Sequence, residues 1–282
     1  MLSTGVKHIL LASLFFSIIN ALVKYYSHIP AIEIVFFRSL VTLILSYSVI
    51  WQKKIKIFNE HFNLLFLRGL CGAIALSLYF YTIQVMPLAT AVTVLYLAPV
   101  FTVVLSVFLV KESPNPKQWP FIIAGFLGAG LMKSFDPNTS FVHFIMGMTA
   151  ALFAGLAYNF IRLLKDRAHH QLIIFFFPLI TIPVCLPFLV PVWVTPNLSD
   201  LAGLILIGVF TQIAQVFMTK AYMAESASKI SHFNYLTAVW ALLTGIIFFD
   251  EMLSWISIAG MMIIIGSVIM SSRYAAIKVK AD

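Results

Sequence analysis

The sequence predicts an all-α integral membrane protein with ten transmembrane helices arranged as two inverted five-helix repeats. Composition, the spacing of apolar segments and an internal repeat each support this fold class. Apolar residues make up 61% of the 282 positions and charged residues only 10%, whereas soluble domains average about 25% charged residues. Because a bilayer-crossing helix needs about 20 mostly apolar residues, the chain has room for about ten such helices and for no separate soluble domain.

Short polar or proline-containing breaks divide the chain into ten apolar segments. In the first segment, Lys7 precedes an apolar stretch, as in a signal peptide, but the stretch continues to Tyr26 without a small-residue cleavage site, so we expect it to be a helix. Met86 and Pro87 form the main break between the third and fourth segments. The predicted helices cover residues 6–26, 31–51, 63–85, 89–110, 118–134, 141–163, 171–194, 200–222, 229–249 and 254–272.

Lysine and arginine are concentrated on one side of this predicted bundle, and cytoplasmic loops carry such an excess. We therefore expect both termini to be cytoplasmic in a multi-pass protein of the bacterial cytoplasmic (inner) membrane. The net charge of +8 then reflects topology and contact with anionic lipids, not nucleic-acid binding. The opposite side carries Lys24 and Lys133. The basic side carries Lys7, Lys53, Lys54, Lys56, Lys111, Lys117, Arg162, Lys165, Arg167, Lys229, Arg273, Lys278 and Lys280.

A single ungapped offset of 139 residues aligns the first half of the chain with the second. Apolar matches arise by chance in such a chain, but polar and glycine matches at one offset indicate a duplication. The repeats cover residues 1–137 and 138–282. Since each has an odd number of helices, the second starts on the opposite side of the membrane. The informative matches pair Asn20 with Asn159, Gly69 with Gly208, Tyr96 with Tyr235 and Glu112 with Glu251.

Inverted repeats are a transporter architecture, with the solute site near the membrane midplane between the halves. The two halves rock against each other to give alternating access. The step from this fold to transport is an analogy. It predicts a secondary transporter rather than an enzyme.

The stretch RGLCGAIALSLYFYTIQVMPLATAVTVLYLAPVFTVVLSVFLVKE, from Arg68 to Glu112, resembles the EamA family of the drug/metabolite transporter superfamily. EIVFFRSL, from Glu33 to Leu40, fits the same branch. The similar features are the Arg-Gly start, the Met-Pro-Leu-Ala-Thr-Ala turn, Pro99 followed by Val-Phe-Thr, and the final Lys-Glu. The second half departs from the pattern, with Ala238 in place of Pro99.

The resemblance implies a carrier of a small metabolite. The similarity extends to S-adenosylmethionine carriers and to relatives of organic-anion carriers, whereas other EamA members move amino acids, riboflavin, purines or drugs. S-adenosylmethionine is therefore one expected solute, and export of amino acids or drugs is an alternative.

Ionisable side chains within membrane segments are functional candidates because burying them is costly. Arg38 lies about two turns into the second predicted helix, Arg68 near the start of the third, and Lys220 near the end of the eighth. Long basic side chains also extend along apolar surface to the headgroups, and this is the position that we expect for Lys24, Lys133 and Lys220. We expect Arg38 to face the interior of the bundle.

Helical spacing places Arg68, Gly72, Ala75 and Tyr79 on one face of the third helix. This stripe suits a cavity wall, and close packing through the small residues is the alternative. Tyr96 and Tyr235 can stack on a planar solute and also form a hydrogen bond. Asn20, Asn159, Gln212 and Gln215 need polar partners in a medium without water. The predicted substrate-binding residues are Asn20, Arg38, Arg68, Tyr79, Tyr96, Asn159, Gln212, Gln215 and Tyr235.

His232 titrates in a range suited to gating or proton transfer, although a lone histidine also serves as a structural group. Every Asp and Glu falls near a predicted helix end or in a loop, which disfavours proton coupling through a midplane acid. We expect exchange or facilitated diffusion of a solute with a carboxylate or phosphate, drawn to an electropositive cavity. No motif for a catalytic residue, metal ion or cofactor is present.

Two other classes stay open at this stage. A membrane-embedded enzyme would need polar catalytic groups clustered at one interface, and a membrane scaffold would need no cavity. The Ala124-x-x-x-Gly128 motif can support a homodimer or packing within one chain.

Overall fold

The computed structural model describes residues 4–57, 61–111, 115–134, 139–165, 167–224 and 236–278. Helices dominate this part of the chain, joined by short 3-10 turns at Pro116–Gln118 and Val190–Val192, and it contains no strand. The helices are α1 (Thr4–Tyr25), α2 (Ala31–Gln52), α3 (Phe62–Val85), α4 (Leu88–Leu95), α5 (Ala98–Leu109), α6 (Trp119–Ser134), α7 (Phe141–Leu164), α8 (His170–Leu189), α9 (Leu198–Ala224), α10 (Leu236–Phe249) and α11 (Trp255–Lys278).

The predicted all-α membrane class is confirmed. Within the described ranges, seven helical segments are long and apolar enough to cross a membrane, with α4 and α5 together forming one of them. The C-terminal helices α10 and α11 contain shorter apolar stretches, Thr237–Phe249 and Trp255–Ser271. With α4 and α5 taken together, the described residues contain one helix in each of the ten predicted segments. Membrane crossing by all ten stays a prediction.

The fourth predicted helix, residues 89–110, is not continuous: it ends at Leu95 and restarts as α5 at Ala98. The Tyr96 and Leu97 amides each donate to the carbonyl three residues earlier, at 3.0 and 3.1 Å, instead of continuing the helical ladder. Pro99 explains the break because it has no N–H and its ring displaces the carbonyl of the residue four positions earlier. The break lies in the middle of the bundle.

Helices from the two halves of the chain pack against each other through glycines. α3 packs on α7 and α8, while α1 packs on α9 and α2 on α8 and α9. A Cβ atom on Gly69 of α3 would lie 2.8 Å from Ile180 of α8, and one on Gly208 of α9 would lie 2.5 Å from Val41 of α2. These contacts require glycine, because any side chain would push the helices apart.

Helix α6 packs along α11 within the same chain. A Cβ atom on Gly128 would lie 2.9 Å from the Gly260 carbonyl oxygen, and one on Gly125 would lie 2.9 Å from the Ser267 hydroxyl. The small residues of the Ala124-x-x-x-Gly128 motif therefore serve packing within the chain. The homodimer stays a prediction.

One end of the bundle is tied together by a polar cluster of Lys24, Met86, Leu88 and Glu251, which we call the Lys24–Glu251 cluster. The Lys24 ammonium lies 3.1 Å from the Glu251 carboxylate and donates to the Met86 carbonyl at 2.6 Å. The Leu88 amide, at the start of α4, donates to the other Glu251 oxygen at 2.6 Å. Lys24 was expected to extend towards the headgroups, but its ion pair with Glu251 holds it inside the protein.

Candidate functional site

A cavity of about 190 Å³ lies between the two halves of the chain. Residues of α1 to α5 line one part of it and residues of α7 to α10 line the other. The whole stripe predicted on the third helix, Arg68, Gly72, Ala75 and Tyr79, contributes to the wall. The predicted substrate-binding residues that line the cavity are Asn20, Arg38, Arg68, Tyr79, Tyr96 and Gln215.

Two predicted site residues lie away from the cavity. Asn159 is completely buried, and its side-chain nitrogen donates to the Thr102 carbonyl at 3.0 Å and to the Gly155 carbonyl at 3.1 Å. It faces α5 because Gly155 allows that helix to approach α7 closely. Gln212 is also buried off the cavity wall.

Tyr235 and His232 fall outside the described residues. Lys220, a candidate cation that we expected to extend towards the headgroups, is exposed on α9 and is absent from the cavity wall.

Arg38 and Arg68 are the cations of the described cavity wall, and their side chains are 3% and 5% exposed. The described lining residues include no Asp or Glu. Neither arginine forms an ion pair with another described residue. The Arg38 Nε and the Arg68 Nε and Nη1 atoms are buried without a hydrogen-bond partner. Because an uncompensated buried charge is costly, this wall is strongly attractive to anions.

Phe177 of α8 holds the two guanidinium groups. The central carbon of Arg38 lies 5.4 Å from the centre of the Phe177 ring, and that of Arg68 lies 4.3 Å from it. Arg38 also lies 5.5 Å from the centre of the Phe80 ring. Such cation–π contacts stabilise a cation by about 0.5–2 kcal/mol each, much less than the cost of removing a full charge from water. Aromatic faces therefore position these charges without neutralising them.

Neutral polar groups complete the cavity. The Asn20 side chain lies beside the Tyr79 hydroxyl, and Tyr158, Thr211 and Gln215 contribute from α7 and α9. The Thr211 hydroxyl is buried without a partner within the described part of the chain. These groups are suited to bind hydroxyl, amide or carbonyl groups of a solute.

The break between α4 and α5 also lies at the cavity, where Leu95, Tyr96, Ala98 and Pro99 line the wall. The N-terminus of α5 therefore faces the cavity with the positive end of its helix dipole. Discontinuous helices of this kind form solute sites in transporters, with their N-termini towards anionic groups. The C-terminus of α4, with Leu95 in the wall, lies at the same place, so the break brings the positive end of one helix dipole and the negative end of another to the cavity.

Many lining residues occupy positions 139 apart in the sequence. In every pair below, one residue carries a polar group and the other is apolar or glycine, so the halves supply different chemistry at equivalent places. The pairs are Ile19 with Tyr158, Arg38 with Phe177, Gly72 with Thr211, Leu76 with Gln215, Tyr79 with Met218, and Ala98 with Thr237.

Sequence reasoning missed Phe177, Thr211 and Thr237 as cavity residues. Each is the counterpart of a residue in the first half that also lines the cavity. Applying the 139-residue offset to Arg38 and Gly72 of the predicted wall would have found Phe177 and Thr211. The search for identical pairs overlooked them because their identities differ.

Comparison with known proteins agrees with this architecture. The model of the EamA-like transporter family matches residues 3–134 and 142–273. The pseudopaline exporter of Pseudomonas aeruginosa is 33% identical over 97% of this chain and 97% of its own length. The S-adenosylmethionine uptake transporter of Rickettsia prowazekii is 25% identical, covering 93% of this chain and 90% of its own.

A solved crystal structure shares the fold, with a TM-score of 0.68 and 16% identity over 99% of each chain. The family match spans almost the whole sequence and occurs once in each half. These matches indicate a transporter and not an enzyme. The chain belongs to the EamA-like transporter family, within the drug/metabolite transporter superfamily, and is a multi-pass membrane transporter.

Proposed function

We propose that this protein is a secondary carrier that moves a small anionic metabolite across the bacterial cytoplasmic membrane by alternating access. The observation that carries this proposal is the presence of Arg38 and Arg68 in one internal cavity, both buried and both without an anionic partner among the described residues. A solute with a carboxylate or phosphate would supply the missing charge through charge-assisted hydrogen bonds.

We propose that the fold consists of two inverted repeats, residues 1–137 and 138–282. Reciprocal contacts support this arrangement: Gly69 meets Ile180, and their counterparts Gly208 and Val41 meet each other. The backbone supports it too, because Lys111 and Asp250, which are 139 residues apart, both have left-handed φ values, of 58° and 51°. A twofold relation between the halves would let them rock around the shared cavity.

The cavity chemistry favours some metabolites over others. S-adenosylmethionine carries a sulfonium and an ammonium group against a single carboxylate, so its net charge opposes a wall that contains two arginines. An organic acid or a phosphate ester fits that wall better. Export is the favoured direction, because the exporter among the relatives is 33% identical and the uptake transporter 25%.

Transport itself can be tested in proteoliposomes that contain the purified protein. We expect saturable counterflow of a labelled organic anion, with the solute recovered chemically unchanged, and no counterflow of a cation of similar size. R38A and R68A should each abolish it. K220A is the matched control, since Lys220 is exposed and lies off the cavity wall, and it should transport at the wild-type rate. Wild-type rates in both arginine variants would remove the arginines from the site and refute the proposal.

The proposed orientation, with both termini cytoplasmic, has its own test. It places the Lys24–Glu251 cluster on the periplasmic side of the membrane. A reporter domain that functions only in the cytoplasm should be active when it is fused to either terminus. Activity of a fused reporter that functions only in the periplasm would contradict this topology.

A further inference from the structure

The positive wall of the cavity contains two separate charges on one aromatic support. Phe177 lies within cation–π distance of both guanidinium groups, so the central carbons of Arg38 and Arg68 are at most 9.7 Å apart, the sum of 5.4 and 4.3 Å. Both groups can therefore be reached by one small molecule. A carboxylate carbon binds about 4 Å from a guanidinium carbon, and a short dicarboxylate can bridge the remaining distance.

Gly72 makes this arrangement sterically possible. A Cβ atom at that position would lie 2.8 Å from the Phe177 ring and 3.1 Å from the Arg68 Nη1 atom. The glycine lets the ring and the guanidinium pack together beside α3. Thr181 fixes the same part of α8 by donating its hydroxyl to the Phe177 carbonyl at 2.7 Å.

Charge balance sets the requirement for the solute. A monoanion would leave one buried guanidinium uncompensated, and leaving a buried charge unpaired is strongly unfavourable. A dianion would neutralise both, while the neutral groups of Tyr158, Thr211 and Gln215 would face the rest of the molecule.

We infer that the solute of this carrier is a dicarboxylate, with one carboxylate for each of Arg38 and Arg68 and with Phe177 as the residue that positions both guanidinium groups. This inference rests on the proposed transport of an anionic solute and narrows it. Phe177 supplies no hydrogen bond and acts through the placement of the two arginines.

Pairs of compounds that differ by one charge and little in shape test the requirement. Suitable probes are succinate, glutarate, adipate and benzene-1,3-dicarboxylate, each beside its monoamide. We expect at least one dicarboxylate to raise the melting temperature of the detergent-purified protein and to bind at least tenfold more tightly than its monoamide. Equal affinity for a dicarboxylate and its monoamide would refute the requirement for two negative charges, but it would not contradict the proposed transport of an anion. Failure of every dicarboxylate to bind would overturn the inference, whereas the proteoliposome counterflow tests anion transport separately.

Substitution of each arginine tests whether Arg38 and Arg68 each bind one carboxylate of the solute. R38Q and R68Q should each reduce dicarboxylate affinity about tenfold or more and bring the preference over the monoamide close to one, because one cation remains. K220Q should keep the wild-type preference. A preference that survives in both arginine variants would refute the assignment.

Phe177 is tested by comparing F177Y with F177L. F177Y retains the aromatic face and should keep the dicarboxylate preference, whereas F177L should raise the dicarboxylate KM several-fold. Equal KM values for the two variants, each verified as folded by its elution profile, would exclude a positioning role for the ring.

Discussion

Lys24 and the two cavity arginines are cations within the same helical bundle, but their surroundings differ. Lys24 has a carboxylate at 3.1 Å and a carbonyl at 2.6 Å. Arg38 and Arg68 have phenyl rings and no anionic partner in the described part of the chain. A buried cation whose charge is matched within the protein stabilises the fold, whereas one left unmatched is available to a solute. The comparison separates a structural charge from the two charges that we propose bind the solute.

The Lys24–Glu251 cluster also joins several helices at one end of the bundle. Its carboxylate accepts a hydrogen bond from the first residue of α4, while Lys24 belongs to α1 and binds the end of α3. Three parts of the first half are thereby joined to the loop that follows α10. The 139-residue offset puts Leu163 at the position equivalent to Lys24, so the second half has no equivalent ion pair there.

The largest effect is expected from removing both cavity charges together. R38M combined with R68M should, like the single variants, leave no measurable transport, a loss of at least about 100-fold, since each charged hydrogen bond contributes about 1.5–3 kcal/mol. The same variant should melt at the wild-type temperature or above it, because two uncompensated buried charges are lost. Counterflow and thermal unfolding in detergent measure the two effects. A clearly lower melting temperature would show that the arginines stabilise the fold.

At the Lys24–Glu251 cluster, in contrast, removal of a charge should lower the stability of the fold. E251Q leaves the Lys24 ammonium without its counter-charge, and we expect a loss of about 2 kcal/mol in unfolding free energy, since the pair is only partly buried. The glutamine can still accept from the Leu88 amide. Thermal unfolding of E251Q and of the double variant K24M/E251Q checks this. The double variant should be more stable than E251Q, because it has no unpaired lysine charge. A single variant as stable as wild type would mean that the ion pair contributes nothing.

A smaller, local effect is expected from G72A. The added methyl group would contact the Phe177 ring at 2.8 Å, and overpacking of this kind costs about 1–3 kcal/mol. Displacement of the ring should also move Arg68 and weaken anion affinity several-fold. G130A is a matched control, because a Cβ atom there has no neighbour within 4 Å. Unchanged anion affinity in G72A would argue against the close fit of glycine, ring and guanidinium.

Most of the fold follows from sequence because its causes are local. Helix positions depend on runs of apolar residues, and the repeat offset is visible along the chain. The break between α4 and α5 was missed although Pro99 marks it, because the apolar character continues through both parts. The pairing of Lys24 with Glu251 was missed because it joins residues 227 positions apart, from 24 to 251, and neither residue alone indicates its partner.

The cavity was only partly predictable for a related reason. The stripe from Arg68 to Tyr79 was found because helical spacing is fixed by backbone geometry. Phe177 was missed because a phenylalanine in a chain with 26 of them carries no signal of its own. Its importance comes from two arginines that reach it from other helices.

The smallest effect is expected at the asparagine pair that the repeat suggested. Asn20 lines the cavity beside Tyr79, whereas Asn159 uses its amide nitrogen to join α7 to α5. N159A should therefore lower the unfolding free energy by about 1 kcal/mol, the usual net value of a hydrogen bond, and leave the KM for transport unchanged. N20A should raise KM at nearly unchanged stability. Proteoliposome kinetics and thermal unfolding of both variants distinguish the roles, and a raised KM in N159A alone would reverse the assignment. Equivalent positions in a duplicated chain can therefore keep the same residue while only one of them lines the cavity.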